Sequence, residues 1–362
     1  MKKTKTARKR TVRNRLLVAI CCMGLLVPTI SGCGGAKESE EKVVNVYTFV
    51  GYMQDPVVSA FEEETGIKIN LTEFTNNEEM LAKLQSGGLG SYDVLMCGDY
   101  MIETMLELGG LLQPMDMSKI ENSKNSPEEY MGLFFDPENE YSLPFMTGWY
   151  AIAINRDKYP DVEIDSVDDL WDPMFADDMM ILDDQRADIA LSLLDLGYSV
   201  NETDTDKIEE AAGRMEELKS NIKFFDSNDP KSKLVSGECG ICYTWNSEIL
   251  RAIREGANWE GIVPQEGVVL WSDNFCIPEK APHLDNAYTF INWILEGENH
   301  AKFDEYLCYG VPNTAAMDLL PDDVKNSDMA YLPDWAMEKS DYIQDVGENL
   351  GLYDQIWTTF KQ

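Results

Sequence analysis

From residue 43 onward, short apolar runs take turns with amphipathic stretches along the chain. Residues 43–49 are apolar and rich in β-branched side chains, and Asp55-Pro56 opens a helix to residue 64 that Gly66 stops. Residues 67–74 alternate like a half-buried strand, Asn77-Glu78-Glu79 opens a helix that ends at Gly87-Gly88, and residues 92–97 form another strand. The pattern continues with a helix over 100–108, extended chain over 141–146, and strands over 149–155 and 179–182. Helices over 188–196 and 206–218 precede strand 240–245, which leads into helix 247–254, and strand-like 267–271 stands ahead of 275–278. The C-terminal part reads as helical over 283–295, 299–307 and 350–360. Regular alternation of strand and helix predicts α/β layering with mostly parallel sheets. About 320 residues of it are enough for two lobes. No internal repeat is present, and Gly87-Gly88-Leu89-Gly90 follows a helix instead of joining strand to helix, so it is a turn and not a phosphate loop.

Charge narrows the function. Eight of the 30 Lys plus Arg residues fall in residues 1–32, which hold no acid, so the rest of the chain sets 22 cations against 65 Asp plus Glu, a net charge of −43. A body so acidic is repelled by a phosphate backbone, which excludes nucleic-acid binding. The basic segment to Arg15 is followed by twelve apolar residues, Leu16 to Val27. As a helix they rise only about 18 Å, short of the roughly 30 Å hydrocarbon layer. Residues 1–32 are therefore read as a signal peptide. Ile30-Ser31-Gly32-Cys33 resembles the bacterial lipobox, in which the cysteine is acylated, so Cys33 is the expected lipidation site and residues 33–42 a lipid-anchored tether. The alternative is a plain secreted protein.

Five cysteines remain beyond Cys33: Cys97, Cys239, Cys242, Cys276 and Cys308. An odd number argues for free buried thiols over a disulfide framework. Cys239-Gly240-Ile241-Cys242 matches C-x-x-C, but in a strand its sulfurs face opposite sides, which disfavours a redox or zinc site. The two histidines, His283 and His300, have no acid–base partner at a useful spacing and are read as surface residues. No D-x-[DN]-x-[DN]-G calcium loop occurs.

In open α/β sheets the ligand crevice lies beyond the carboxyl ends of the strands. The residues at those ends are Phe49 and Tyr52, Asp99 and Tyr100, Asp183 and Asp184, Trp245 and Glu248, and Trp271 and Asp273, with Arg186 the only nearby base. Aromatic faces with carboxylates suit a desolvated organic cation, each cation–π contact being worth roughly 0.5–2 kcal/mol and each charged hydrogen bond roughly 1.5–3 kcal/mol. Each residue also has a structural use: Phe49 and Trp245 as core, Asp55 and Asp99 as helix N-caps, Glu248 as a first-turn acid, Asp183 and Asp184 as a solvated pair. Asp184, Glu248 and Asp273 also leave open a paired-carboxylate glycoside hydrolase.

Longer stretches then carry a resemblance. Val46-Tyr47-Thr48-Phe49, residues 61–68 and 77–84, Tyr92-Asp93-Val94, Leu182-Asp183-Asp184-Gln185-Arg186, Leu196-Gly197-Tyr198-Ser199, Trp271-Ser272-Asp273, Phe290-Ile291-Asn292 and Tyr309-Gly310-Val311-Pro312-Asn313 resemble, in order, the spermidine/putrescine-binding proteins of bacterial ABC importers. The resemblance implies a two-lobed periplasmic-binding-protein fold of type II with ligand in the interlobe cleft. It sets lobe 1 at 43–146 with 274–320, lobe 2 at 147–273, and a C-terminal helical segment at 321–362. It also implies no enzyme activity and no cofactor. The expected partners are a polyamine and the permease subunits of a membrane importer, for a monomer held at the outer face of the cell membrane. By position, Phe49 stands where the family has Trp, and Tyr52 and Tyr100 match aromatics of the cleft. Asp184 and Asp273 match its amine-binding carboxylates, Trp245 and Trp271 its flat walls, and Glu248 an acid of putrescine-preferring relatives; Asp99 is a further candidate for an ammonium group. Two departures bear on which polyamine is preferred. Ala187 replaces a family Glu, with Asp188 next to it rotated away on the helix, and Ile343-Gln344 falls where a ligand-contacting Gln is expected. A sugar receptor of the same fold, the glycosidase and a surface adhesin are the rival readings.

Overall fold

The alternation of apolar strands with capped helices organises the computed structural model, which describes residues 42–362. The expected signal peptide and Cys33 lie outside the described residues. In chain order come β1 (Val43–Phe49), α1 (Asp55–Thr65), β2 (Lys68–Phe74), α2 (Asn77–Lys83), β3 (Val94–Gly98), α3 (Asp99–Leu108) and β4 (Ser142–Asn155). Then follow β5 (Met179–Ile181), α4 (Gln185–Asp195), α5 (Thr205–Leu218), β6 (Ile222–Phe225), α6 (Pro230–Ser236), β7 (Ile241–Trp245), α7 (Asn246–Arg254), β8 (Trp259–Ile262) and β9 (Val269–Cys276). The chain ends in α8 (Leu284–Ile294), α9 (Gly297–Leu307), the single turns α10 (Thr314–Met317), α11 (Asp322–Lys325) and α12 (Asp334–Met337), β10 (Asp341–Tyr342) and α13 (Leu350–Phe360). Local chemistry sets many of the boundaries. Asn76, Asp184, Asp204 and Asp229 accept backbone N–H groups at the starts of α2, α4, α5 and α6, and Gly66 and Gly237 end α1 and α6.

Ten strands form one sheet in the order β2-β1-β3-β9-β4-β7-β5-β6, with β8 added to β4 and β10 to β9. Within each half the pairs β1–β2, β1–β3, β5–β6 and β5–β7 are parallel. The middle of the sheet is antiparallel: β4 and β9 pair from Ser142 opposite Cys276 to Tyr150 opposite Val269. Their register shifts between Pro144 and Met146, where proline has no N–H to give the ladder. Both middle strands run through the two halves. Sequence reading divided each in two, leaving out residues 147–148 and 272–274; in the fold Thr147, Ser272, Asp273 and Asn274 are buried within continuous strands.

Each half has apolar layers on both faces of the sheet. Val46, Phe61, Phe145 and Phe290 pack on one face of the first half, and Tyr47, Phe74, Leu95 and Met101 on the other. In the second half, Ile152, Ile181, Ile189, Ile241 and Tyr353 form one layer, and Ala153, Met180, Cys242, Ile249 and Trp259 the other. Cys308, Val311, Leu320, Val324 and Ala330 join that last layer.

Several expectations are corrected. His300 is fully buried, with Nε2 2.8 Å from Phe145 O and Nδ1 3.0 Å from Asn313 Nδ2, so it ties α9 to β4. His283 sits 3.0 Å from the buried Asp93 carboxylate and is no free surface residue either. Cys239 precedes β7 instead of lying in it, and both C-x-x-C sulfurs end in the same apolar layer. All five described cysteines are free and buried. The short strands β6, β8 and β10 and helix α6 had no clear sequence signal.

Candidate functional site

The two middle strands bring the sequence candidates together. Gly98, the last residue of β3, lies opposite Asp273 of β9, so the start of α3 meets the centre of β9. Asp99 opens α3 and turns its carboxylate onto that strand. Its Oδ2 accepts Ser272 N at 3.0 Å and its Oδ1 accepts Tyr100 N at 2.7 Å. Asp273 beside it accepts Tyr52 Oη–H at 2.5 Å, and Tyr52 packs 5.3 Å from the Phe49 ring at the end of β1. An ionised carboxylate has about four acceptor positions. Asp273 is 6% exposed and a single side-chain donor reaches it, which makes it the least satisfied acid of the group. Burial drives its carboxyl up to about 7; burial, opposed in part by the Tyr100 N–H and reinforced by Asp273, drives Asp99 up to about 8.

The second half of the sheet carries a further candidate acid. Asp184 caps α4, accepting Arg186 N at 3.1 Å and Ala187 N at 3.2 Å through Oδ1, and takes Tyr150 Oη–H at 2.8 Å through Oδ2. Burial first, then the charge of Glu78 and more weakly that of Asp184, raise the Tyr100 phenol well above its usual range. Tyr100 donates to Glu78 at 3.0 Å.

Trp245 and Trp271 are half-buried and pack against the apolar layers of both halves. Trp271 meets Tyr309 edge-to-face at 4.9 Å, and its buried Nε1–H has no protein acceptor. Its seat depends on Gly148 of β4: a Cβ there would stand 2.3 Å from the indole Cζ2 and 2.6 Å from Asn246 Oδ1. Glycine lets the indole lie directly on the β4 backbone.

Glu248 is differently engaged. Its Oε1 pairs with Arg251 at 2.6 Å and its Oε2 accepts Lys231 N at 3.0 Å, so its charge is already answered. Asp183 pairs with Lys361 at 2.5 Å, so Arg186 is not the only cation near the strand ends. Asp188 is 2% exposed and neither carboxyl oxygen has a partner; burial first, then Asp184 and Asp183, raise it well above the usual range. Sequence reading missed Tyr150 and Tyr309, which look like core residues of a strand and a helix end. Among the described residues, no group of three or more His, Cys, Asp or Glu side chains is placed to hold a metal.

Residues 57–331 match the family model of bacterial extracellular solute-binding proteins. The chain is 31% identical over 330 residues to the spermidine/putrescine-binding periplasmic protein of Salmonella typhimurium, covering 91% of this chain and 94% of that protein. It superimposes on a spermidine/putrescine ABC transporter substrate-binding protein of Streptococcus pneumoniae with a TM-score of 0.79 at 32% identity, covering 88% of this chain and 98% of that one. A lipoprotein of Treponema pallidum gives a TM-score of 0.79 at 25% identity, covering 88% and 99% of the two chains.

Proposed function

The chain belongs to the bacterial extracellular solute-binding proteins, and on that premise we propose that it is a polyamine receptor of an ABC importer, binding spermidine, putrescine or both and handing them to a membrane permease. The observation that carries this reading is Asp273, a buried carboxylate with one tyrosine donor, standing among aromatic rings. A polyamine is a chain of ammonium groups spaced by methylenes. Its recognition needs carboxylates at separated points with apolar walls between them, which Asp273, Asp184 and the pair Trp245 and Trp271 supply.

Asp273 is the central anchor in this reading, because an ammonium group restores the donors it lacks. Asp184 keeps one acceptor position beyond its three donors and takes a second ammonium from the other side. Phe49, Tyr52, Tyr100 and Tyr309 complete the walls, Asp99 stands behind Asp273 with its carboxyl raised to about 8, and Glu248 with Arg251 bounds the Tyr309 end. Ligand touching both halves favours the arrangement in which they face each other, and that difference drives closure of lobe 1 (residues 43–146 with 274–320) on lobe 2 (residues 147–273). The protein acts outside the cytoplasm as a monomer without enzymatic turnover, held to the membrane by lipid on Cys33 after removal of residues 1–32. No helix among the described residues is long and apolar enough to cross a membrane.

Titration calorimetry on a soluble chain beginning after Cys33 tests the reading, with spermidine, putrescine and a neutral sugar, beside Asp273→Asn. The expected result is saturable one-to-one binding of a polyamine, no heat with the sugar, and binding at least about tenfold weaker in the variant, as loss of a charged hydrogen bond implies. Weak heats that salt abolishes and Asp273→Asn leaves unchanged would reduce the interaction to general attraction by an acidic surface.

A further inference from the structure

Where β7 ends, β4 loses a partner. The β4–β7 pairing stops at Tyr150 opposite Trp245, and the next residue, Asn246, already opens α7. Trp149, one step further along β4, therefore has no strand to donate to on that side, and a buried backbone N–H must find an acceptor. The Asn246 side chain supplies it, with Oδ1 accepting Trp149 N at 3.2 Å. The other end of the same carboxamide faces two carbonyl oxygens: Nδ2 donates to Met329 O at 2.7 Å and to Tyr309 O at 3.3 Å. Asn246 is fully buried, so these partners replace the water that its amide would otherwise bind.

The carboxamide thus joins β4 to two stretches outside the sheet. Tyr309 follows α9 and Met329 follows α11, and the two backbones touch. Gly310 stands at φ +88°, and a Cβ on it would run into Ala330 O. Val311 N donates to Tyr331 Oη at 3.2 Å, and Tyr309 N to Asp304 Oδ1 at 2.9 Å. Those contacts fix the 309–311 turn to the C-terminal part of the chain, while Asn246 ties it to β4. The tie bears on the site, because the Tyr309 ring stands edge-to-face on Trp271 at 4.9 Å. Trp271 and Asn246 Oδ1 rest side by side on Gly148, where a Cβ would meet both. Trp245, the other flat wall, is the chain neighbour of Asn246.

We propose that Asn246 is a positioning residue for the aromatic wall of the cleft: by holding Tyr309 O and Met329 O to β4 it aims the Tyr309 ring at Trp271 before ligand arrives. This role rests on the polyamine-receptor reading. Two carbonyl oxygens converging on one point repel each other unless donors stand between them, and a primary amide brings two N–H bonds on one atom together with an acceptor beside it. Aspartate has the same shape and keeps the acceptor for Trp149, but it carries at most one proton for two carbonyls. Serine has a single donor and is too short to span the three groups.

The test is a double-mutant cycle in the full chain, combining Asn246→Asp or Asn246→Ser with Tyr309→Leu. Spermidine and putrescine affinities are read by calorimetry, and stability by the urea midpoint. Each Asn246 variant is expected to weaken polyamine binding at least about tenfold when Tyr309 is present, and less than about threefold when leucine replaces it, because no ring is then left to aim. Either Asn246 variant decides alone if the other does not fold. Equal weakening in both backgrounds would show that Asn246 does not act through Tyr309, and a lowered urea midpoint with unchanged affinity would make it a purely structural residue; each result overturns the positioning role. A wild type that binds neither spermidine nor putrescine overturns the receptor reading itself, and is distinguished from failure of the positioning role, where the wild type binds and the Asn246 variants bind as tightly.

Discussion

On the proposed reading, protonation of Asp273 and Asp99 governs how strongly the site attracts a cation. Asp273 and Asp99 sit across the β3–β9 pairing, 6% and 3% exposed, and neither forms a salt bridge among the described residues. Burial therefore raises both, Asp273 to about 7 and Asp99 to about 8. At pH 6 the ligand-free pair holds nearly two protons, whereas free aspartates with a pKa near 3.9 would hold almost none. Polyamine ammonium groups stay charged throughout this range, as a lysine does. An ammonium seated against Asp273 requires the ionised carboxylate, so binding at pH 6 must expel about one proton per ligand. The sign follows: ligand selects the deprotonated form, so the association constant rises with pH, by about tenfold or 1.4 kcal/mol per unit below pH 7, and levels off above about pH 8. Calorimetry with putrescine at pH 6 in two buffers of different ionisation enthalpy counts the protons directly. Heats independent of buffer, with affinity flat from pH 5.5 to 8, would show Asp273 already ionised in the empty cleft and refute the desolvation argument.

Three further outcomes follow from the packing. Gly148→Ala puts a methyl group into the Trp271 ring, so the variant should lose about 1–3 kcal/mol of stability to overpacking, shift the tryptophan emission and bind polyamine at least about tenfold more weakly; unchanged emission and affinity would show that the indole does not rest on β4. Asp188→Val removes a buried carboxyl without partners. Its raised pKa means that the wild-type carboxyl supports the fold only while protonated and loses that support as pH rises, so the variant's advantage in urea midpoint should grow from pH 4 to pH 8, to about 1–3 kcal/mol; a lower midpoint at pH 8 would mean that Asp188 has a partner. Glu248→Gln should change polyamine affinity less than about threefold, because Arg251 already answers that charge, and a tenfold loss would restore Glu248 as a direct anchor.

Most of the long helices and the parallel strands β1, β2, β3, β5 and β7 were legible because their signals are local. The Asp55-Pro56 start and Gly66 stop of α1 act within one turn, and α13 begins and ends where its amphipathic pattern does, whereas α4 starts at Gln185, capped by Asp184, three residues before the expected 188. The middle strands were not, since a strand buried on both faces can carry polar residues only where the tertiary fold partners them. Thr147 donates to Trp271 O, and Asn274 Nδ2 to Ser272 O, contacts that no spacing announces. His300 misled for the same reason: its partners, Phe145 O and Asn313, are 155 and 13 residues away. Tyr150 and Tyr309 lack any signal beyond a phenol in an apolar context. Glu248 is different, because the Glu-x-x-Arg spacing to Arg251 places an ion pair on one helix face and was readable from sequence alone.

Two kinds of negative charge act on a polyamine here, and their ranges separate their roles. Most of the described acids behind the net charge of −43 after residue 32 are not buried, and at physiological ionic strength their field is screened beyond about 8 Å. It raises the encounter rate of any polycation without choosing among them, and its effect falls steeply with salt. On the proposed reading Asp273 and Asp184 act at contact distance beside aromatic walls, where water is displaced and screening is weak. Their energy is available only to a ligand that can place an ammonium on each and lay methylenes between. Selectivity must therefore come from the cleft and survive salt, while association speed comes from the surface and does not. Raising the salt concentration should slow spermidine association many-fold, yet leave its dissociation rate and the weakening caused by Asp273→Asn nearly unchanged. A dissociation rate that climbs with salt as steeply as association falls would place the discriminating charges on the surface instead.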